Sequence, residues 1–142
     1  MTIRKIHRFT PEIYKAVAEL LRQLIPEQEP LSAEKFTGIL KTGNTHIFIA
    51  MIEKKKIIGM LTLVTYNILS GKKVWIEDVV VDESQRGKGT GKELMLHAIG
   101  FARSSGAASV ELTSRPSRIA ANKLYLQLGF ICRETNVYKL PL

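Results

Sequence analysis

Three glycines at alternate positions, with basic residues among them, form the stretch of the chain best suited to chemistry. Residues 84–95 read SQRGKGTGKELM, with glycine at 87, 89 and 91. In a glycine-rich loop that opens a helix, the backbone N–H groups are free to bind an anion, and glycine lets the ligand come close. Three side chains add positive charge: Arg86, Lys88 and Lys92. The pattern predicts a phosphate site, and a flexible surface turn entering a helix is the alternative.

Two common phosphate-binding motifs do not fit this loop. A P-loop requires G-x-x-x-x-G-K-[ST], but the position five before Gly91 is Arg86, and Glu93 replaces the hydroxyl that binds Mg²⁺. A dinucleotide fingerprint G-x-G-x-x-G starting at Gly87 would need glycine in place of Lys92. The first class fails, and the second lacks both its last glycine and the βαβ context it requires.

The elements before the loop follow from hydrophobic spacing and turn residues. Residues 2–9 are predicted to form an edge strand. Thr10 begins a helix whose apolar residues recur at helical spacing until Pro26. Ser32 caps a second, shorter helix that stops near Gly43.

Strands are predicted on both sides of the loop. Three segments rich in β-branched and aromatic residues precede the loop, at residues 46–53, 57–69 and 74–81. Turns separate them, which predicts a meander of three antiparallel strands. An amphipathic helix then runs from the loop to Gly106, and residues 109–113 form the next strand. The order strand, loop, helix, strand is typical of a parallel pair.

Composition bounds the class of protein. A length of 142 residues with 45% hydrophobic and 24% charged residues fits one domain over residues 1–142. We find no signal peptide and no apolar run near the roughly 18 residues of a membrane span. The single cysteine, Cys132, cannot form an internal disulfide, so we expect a cytoplasmic protein. The net charge of +8 attracts anions, although surplus lysines also keep a surface soluble.

Residues 115–129, RPSRIAANKLYLQLG, contain a second candidate cluster on a helix that ends at Gly129. Arg118, Asn122 and Tyr125 lie at i, i+4 and i+7 and therefore share one face. The buried stripe is predicted to comprise three apolar residues: Ala120, Leu124 and Leu128. A lone tyrosine on a helix is most often a packing residue with a hydrated hydroxyl, which is the alternative for Tyr125.

Two carboxylates interrupt the apolar strand over residues 74–81. Glu77 and Asp78 are costly there unless they are paired, hydrated or functional. Neighbouring residues of a strand face opposite sides, so one of the two is predicted to face a ligand. An ordinary paired carboxylate is the alternative.

Other reactive residues carry less information. His7, His46 and His97 lack the spacing of a metal site, so no metal is expected. Cys132 has no evident histidine partner, and we expect it to be a buried structural thiol.

The loop sequence RGKGTG, residues 86–91, matches R/Q-x-x-G-x-G/A, the pyrophosphate-binding motif of the GNAT superfamily of N-acetyltransferases. The resemblance covers most of the chain and is strongest over residues 74–130. VWIEDVVVDESQRGKGTG resembles the family's strand and cofactor loop, and AANKLYLQLGF resembles its following segment with Asn, Tyr and Gly-Phe. It implies a single-domain α/β (α+β) fold with a mixed, strongly twisted sheet of about six to seven strands flanked by about four helices.

The resemblance also implies acetyl-CoA as co-substrate and no metal. Backbone amides of six residues would hold its pyrophosphate: Arg86, Gly87, Lys88, Gly89, Thr90 and Gly91. Lys88 and Lys92 are neighbouring cations, with a solvated face as the alternative for either. The end of the preceding strand would pair with the pantetheine amides: Val79, Val80 and Val81. Asn122 would hydrogen-bond the coenzyme arm.

By the same resemblance, a primary amine attacks the thioester directly in a ternary complex. Tyr125 is the implied general acid that protonates the departing thiolate. Glu77 is preferred to Asp78 as the base, acting directly or through water. A backbone N–H near Val79 would stabilise the oxyanion.

The acceptor and the partners are the least determined part. We expect a small-molecule or peptide amine and no membrane. A catalytically silent acyl-CoA-binding sensor or scaffold stays open, as does an RNA-directed aminoacyl-tRNA acetyltransferase. Basic charge is the only feature that favours a nucleic acid, because no recognition motif accompanies it. The family resemblance adds a homodimer through a terminal strand over residues 130–140.

Overall fold

The computed structural model describes the backbone of residues 1–142 and every side chain except that of Lys54. The strands are β1 (Thr2–Lys5), β2 (Thr45–Met51), β3 (Ile57–Ile68) and β4 (Gly71–Val81). The helices are α1 (Pro11–Leu24), α2 (Ala33–Lys41), α3 (Thr90–Ser104) and α4 (Ile119–Gln127). Short 3₁₀ turns follow β2 and β4, at Glu53–Lys55 and Glu83–Gln85.

The four strands form one antiparallel sheet in the order β1-β2-β3-β4. The predicted edge strand and the meander are therefore confirmed, as are the two helices between β1 and β2. The strands β2, β3 and β4 each pair with the next strand along the chain, and the helices follow apolar spacing, so local patterns define these elements well.

Helices cover both faces of the sheet, which gives three layers. Along β2, Phe48 and Ala50 pack in one apolar cluster with α3 and Tyr125 of α4, whereas Ile47 and Ile49 pack in a second cluster with α1 and α2. Neighbouring residues of a strand face opposite sides of the sheet. Because helices cover both sides, the continuous apolar run of β2 contributes residues to both clusters. Burying one large apolar side chain stabilises the fold by about 1.5 to 3 kcal/mol.

The expectation of about six to seven strands was wrong, because the sheet has four. Residues 109–113 contribute only an isolated parallel bridge, in which Glu111 N–H donates to Val74 O and Ile76 N–H donates to Glu111 O, both at 2.9 Å. The bridge confirms the parallel direction but not a full strand. Residues 131–142 are exposed and pair with no strand of the described chain. Residues such as Val137 and Tyr138 supply strand propensity, and propensity does not provide a partner edge.

Two smaller predictions also need correction. Cys132 lies in the exposed tail and is not buried. On α4, Ala120 is exposed, whereas Tyr125 is 7% exposed and packs against Phe130 with ring centroids 5.9 Å apart. Apolar character alone does not show which side of a helix meets its neighbour. The homodimer stays a prediction, but the terminal strand on which it rested is absent from the described fold.

Candidate active site

A groove of about 720 Å³ lies where four elements converge, namely the ends of α1 and β4 and the beginnings of α3 and α4. A volume of this size suits a sizeable small molecule. Its lining comprises Gln23, Leu24, residues 79–81, 85–87, 89–92 and 117–121, Leu124 and Tyr125. The structure thus brings most of the predicted site residues together.

The glycine loop owes its shape to two residues in the left-handed region. Gly87 has φ of +76° and Gly89 has φ of +83°, which other residues adopt only with strain. A Cβ added at either position would meet no protein atom within 4 Å. Glycine is therefore required by the backbone angle, and its missing side chain leaves the space in front of the amides open.

Both helices that enter the groove begin without a side-chain cap. Gly89, the N-cap of α3, has no side chain, and Arg118, the N-cap of α4, has a side chain that only donates, so neither helix has a side-chain cap. The first-turn N–H groups belong to residues 90–92 and 119–121, all of which line the groove. Free donors at the positive ends of two helices are groups suited to binding an anion.

The charges at the groove agree with an anionic ligand. Its lining contains three cations, namely Arg86, Lys92 and Arg118. Among the described residues, no carboxylate lines the groove. Arg86 donates through Nε to Val81 O at 3.2 Å. Lys88 lies outside the lining, because its Nζ donates to Ser84 O at 3.3 Å and to Gln85 Oε1 at 3.1 Å.

A β-bulge changes the phase of β4 just before the groove. Thr62 pairs with Glu77 and Met60 pairs with Val80, so one extra residue stands on β4 between these pairs. Asp78 adopts φ of +50° there, a left-handed conformation that is strained for a residue with a side chain. The bulge thereby turns Val79 toward the α3 and α4 side of the sheet.

Tyr125 reaches the groove from α4 and is almost completely buried. Burial raises the pKa of its phenol above the ordinary value of 10.0, and the positive charge of Arg118 partly offsets this rise in pKa. At neutral pH the phenol therefore keeps its proton. A protonated hydroxyl at the wall of a groove is able to donate to a bound group.

Glu77 lies beside the groove rather than in its lining. Partial burial raises the pKa of its carboxyl above the ordinary 4.5, and the nearby charge of Asp78 raises the pKa further. The Glu77 side chain is nevertheless exposed, so it reaches solvent readily. A carboxylate in this position is able to take a proton through water more easily than by direct contact with a ligand in the groove.

Asn122 also lies outside the groove lining. Its Nδ2 donates to Arg115 O at 3.0 Å and to Pro116 O at 3.5 Å. These bonds attach the preceding loop to the first turn of α4. The structure therefore gives Asn122 a supporting position behind the groove.

The sequence did not single out Gln23 of α1, which lines the groove. Gln23 donates through Nε2 to Asp82 Oδ2 at 3.3 Å and accepts from Glu83 N–H at 3.2 Å, which attaches α1 to the turn before the glycine loop. No local pattern shows this, because Gln23 and Asp82 are 59 positions apart. Arg118 had one signal, its shared helical face with Tyr125.

Comparison with known proteins settles the family. The model of the Acetyltransferase (GNAT) family matches residues 11–130. The chain belongs to the GNAT acetyltransferase family. Membership supports acyl transfer as the general activity, and acetyl-CoA is the acyl donor that GNAT proteins generally use. No curated protein matches this GNAT chain.

Solved structures share the GNAT fold over the whole chain. An acetyltransferase from Trypanosoma brucei is 28% identical with a TM-score of 0.78, covering 99% of this chain and 100% of its own. An aminoglycoside acetyltransferase from an uncultured soil metagenomic sample is 19% identical, with a TM-score of 0.88 and coverage of 99% and 95%. A ribosomal-protein-alanine N-acetyltransferase from Brucella melitensis is 17% identical, with a TM-score of 0.79 and full coverage of both chains, 100% and 100%. The last two likenesses concern the fold alone.

No helix in the described part of this GNAT chain combines the length and the apolar character needed to cross a membrane. Among the described side chains, His, Cys, Asp and Glu residues do not gather in groups of three or more that would hold a metal ion.

Proposed function

We propose that this chain is an N-acetyltransferase that moves the acetyl group of acetyl-CoA to a primary amine by direct attack in a ternary complex. One observation carries the proposal: two uncapped helix N-termini, the end of β4 and the protonated Tyr125 border a single groove lined by three cations. Such a groove offers an anion site at one end and a proton donor within it.

The groove residues fit the chemistry of coenzyme A. Backbone amides of residues 86–91 would hold the pyrophosphate, and Lys92 would lie beside them. Lys88 would contact the phosphates only after its Nζ breaks the hydrogen bond to Ser84 O. The end of β4, at Val79, Val80 and Val81, offers backbone groups to the pantetheine amides. Asn122 would act through the loop that it holds.

Acetyl-CoA supplies an activated acetyl group as a thioester. Glu77 would take a proton from the acceptor, directly or through water, either from its ammonium form before attack or from the amine nitrogen as it bonds to the acetyl carbon. A backbone N–H near Val79 would stabilise the negative charge on the carbonyl oxygen. Tyr125 would donate its proton to the departing sulfur, a role that its burial and protonated state at neutral pH support.

The acceptor is a small-molecule or peptide amine. The fold does not select between these, because two proteins with the same fold are named for an aminoglycoside and for the alanine of a ribosomal protein. Acetyl transfer to a panel of both kinds of amine, with aminoacyl-tRNA included, is the measurement that assigns the acceptor.

Thermal unfolding with acetyl-CoA, desulfo-CoA and ATP tests the donor. Ligand at 100 times its dissociation constant stabilises by about 2.7 kcal/mol, so we expect a rise in Tm of several degrees with acetyl-CoA and a much smaller rise with ATP. Equal shifts with all three ligands, or none, would reject acetyl-CoA as the donor.

The amine panel then separates an enzyme from a silent acyl-CoA-binding protein. The enzyme releases free thiol in the presence of at least one amine. Stabilisation by acetyl-CoA without thiol release from any amine in the panel would favour a sensor or scaffold. Transfer confined to aminoacyl-tRNA would favour the RNA-directed alternative.

A further inference from the structure

Arg118 breaks a local rule of helix formation. Helix N-caps are usually Ser, Thr, Asp or Asn, and α1 and α2 follow this rule with Thr10 and Ser32. At α4 an arginine occupies the N-cap, makes no capping bond and adds positive charge to the positive end of the helix, and the first turn contains no acidic residue. A choice that is locally unfavourable marks a residue with another task.

The guanidinium of Arg118 is attached to the sheet. Its Nη2 donates to Val79 O at 3.2 Å, just after the bulge of β4. Its backbone N–H donates to Arg115 O at 3.0 Å, and Asn122 N–H donates to Arg118 O at 2.9 Å. Because Asn122 also binds the Arg115 carbonyl, backbone and side chain are both held, and the positive charge has a defined place in the groove.

Tyr125 lies two turns along the same helix on the same face, about 10 Å further along the axis. Helical side chains lean toward the N-terminus, so the phenol leans toward Arg118. Arg118 lowers the pKa of the phenol, against the larger rise in pKa caused by burial. Other charged groups border the groove or lie beside it: Arg86 of the loop, Lys92 of α3, and Glu77 and Asp78 of β4.

We propose that Arg118 is a positioning residue for Tyr125, placing a fixed positive charge on the groove wall that the phenol also lines and stabilising the phenolate that remains when Tyr125 has protonated the leaving sulfur. The inference rests on the proposed function. In that reaction the amine nitrogen bonds to the acetyl carbon, and the carbon–sulfur bond breaks with its electron pair on sulfur. The nitrogen loses one proton to the base, sulfur gains one from Tyr125, and the phenolate regains one from solvent.

The physical need for such a charge follows from the burial of Tyr125. A negative oxygen in an apolar environment is strongly destabilised unless a positive group or hydrogen-bond donor is near. Tyr125 is 7% exposed, and the apolar ring of Phe130 packs against it. Arg118 supplies the charge without becoming buried itself, because its side chain is exposed along the groove wall.

The titration of Tyr125 tests the proposal without requiring turnover. The full chain is labelled with 3-fluorotyrosine at its four tyrosines, and ¹⁹F NMR follows each phenol with pH. Fluorine lowers the intrinsic pKa, which brings the titration into a range where the fold survives. Tyr125→Phe identifies the signal. Arg118→Gln should move its midpoint to higher pH, and Arg118→Lys should stay close to the parent protein.

Arg115→Gln is the matched control, since it removes an exposed arginine of the same loop that lies outside the groove lining. Its Tyr125 midpoint should equal that of the parent protein. Equal midpoints in Arg118→Gln and Arg115→Gln would overturn the proposal. So would a loss of acetyl-CoA affinity in Arg118→Gln with the midpoint unchanged, which would make Arg118 an ordinary coenzyme ligand. Failure of the proposed function appears separately, as no stabilisation of the parent protein by acetyl-CoA.

Discussion

The helices on the two faces of the sheet begin in opposite ways. On one face, Thr10 accepts from Ile13 N–H at 3.2 Å and Ser32 accepts from Lys35 N–H at 3.1 Å, so α1 and α2 are closed by their own side chains. On the other face, α3 and α4 begin at Gly89 and Arg118 with their first-turn amides open to the groove.

The presence of side-chain caps on α1 and α2 and their absence on α3 and α4 indicate different roles for the two faces of the sheet. A side-chain cap stabilises a helix by about 1 kcal/mol, and two helices of this protein do without it. Their free N–H groups are costly when no partner is present and favourable when an anion occupies the groove. We therefore expect the caps of α1 and α2 to affect stability, and the open N-termini of α3 and α4 to affect ligand binding.

The largest effect is expected from a substitution of Tyr125, the proposed proton donor. Tyr125→Phe should lower kcat about 100-fold with the best amine, because general acid catalysis is lost while the buried ring remains. The dissociation constant of acetyl-CoA should be unchanged. Tyr138→Phe, at a side chain 87% exposed, is the control and should behave like the parent protein. Unchanged turnover in Tyr125→Phe would remove the acid assignment.

The open N-terminus of α3 is tested by adding a charge to it. Both Asp and Asn tolerate the left-handed backbone of Gly89 better than other residues do, so Gly89→Asp and Gly89→Asn have similar strain. The aspartate repels a phosphate, and acetyl-CoA should bind about 10- to 100-fold more weakly to Gly89→Asp than to Gly89→Asn. Isothermal calorimetry measures both. Equal affinities would contradict a pyrophosphate site at these amides.

The pH dependence of kcat/KM tests the assignment of Glu77 as the base. Glu77 must be ionised to accept a proton, and its raised pKa moves the acid limb of kcat/KM above the ordinary glutamate value of 4.5. Activity should therefore be full at high pH and fall as the pH drops through that limb. Glu77→Gln should remove the limb and lower activity about tenfold at neutral pH. Glu34→Gln, in the first turn of α2, is the control. A limb that persists in Glu77→Gln would assign the base elsewhere.

Substitutions of the α1 and α2 caps should have the smallest effect. They should lower stability and leave the binding of acetyl-CoA unchanged. Thr10→Ala and Ser32→Ala should each lower the free energy of unfolding by about 1 kcal/mol, with acetyl-CoA affinity unchanged. Thr37→Ala removes an exposed mid-helix hydroxyl that donates to Ala33 O, and it should change stability by less than about 0.5 kcal/mol. Weaker acetyl-CoA binding in either cap variant would show that the two faces are not independent.

The sequence by itself determined the features whose cause is local. Spacing and residue type within short windows predict the caps of α1 and α2, the meander β2 to β4 and the glycine loop. The role of Tyr125 came from the resemblance to the GNAT family, since its spacing alone left a packing residue as the alternative. The same patterns suggested strands over residues 109–113 and 130–140. The first segment forms only one bridge to β4 and the second pairs with no strand, because a strand needs a partner edge along its length.

Only the tertiary structure decided which distant residues meet. Arg118 binds a carbonyl 39 positions away, and Gln23 joins α1 to Asp82 across 59 positions. It also turned Asn122 and Lys88 away from the groove, although both belonged to the predicted site. Local propensity fixes the conformation of a segment, whereas the approach of two segments depends on how whole layers pack.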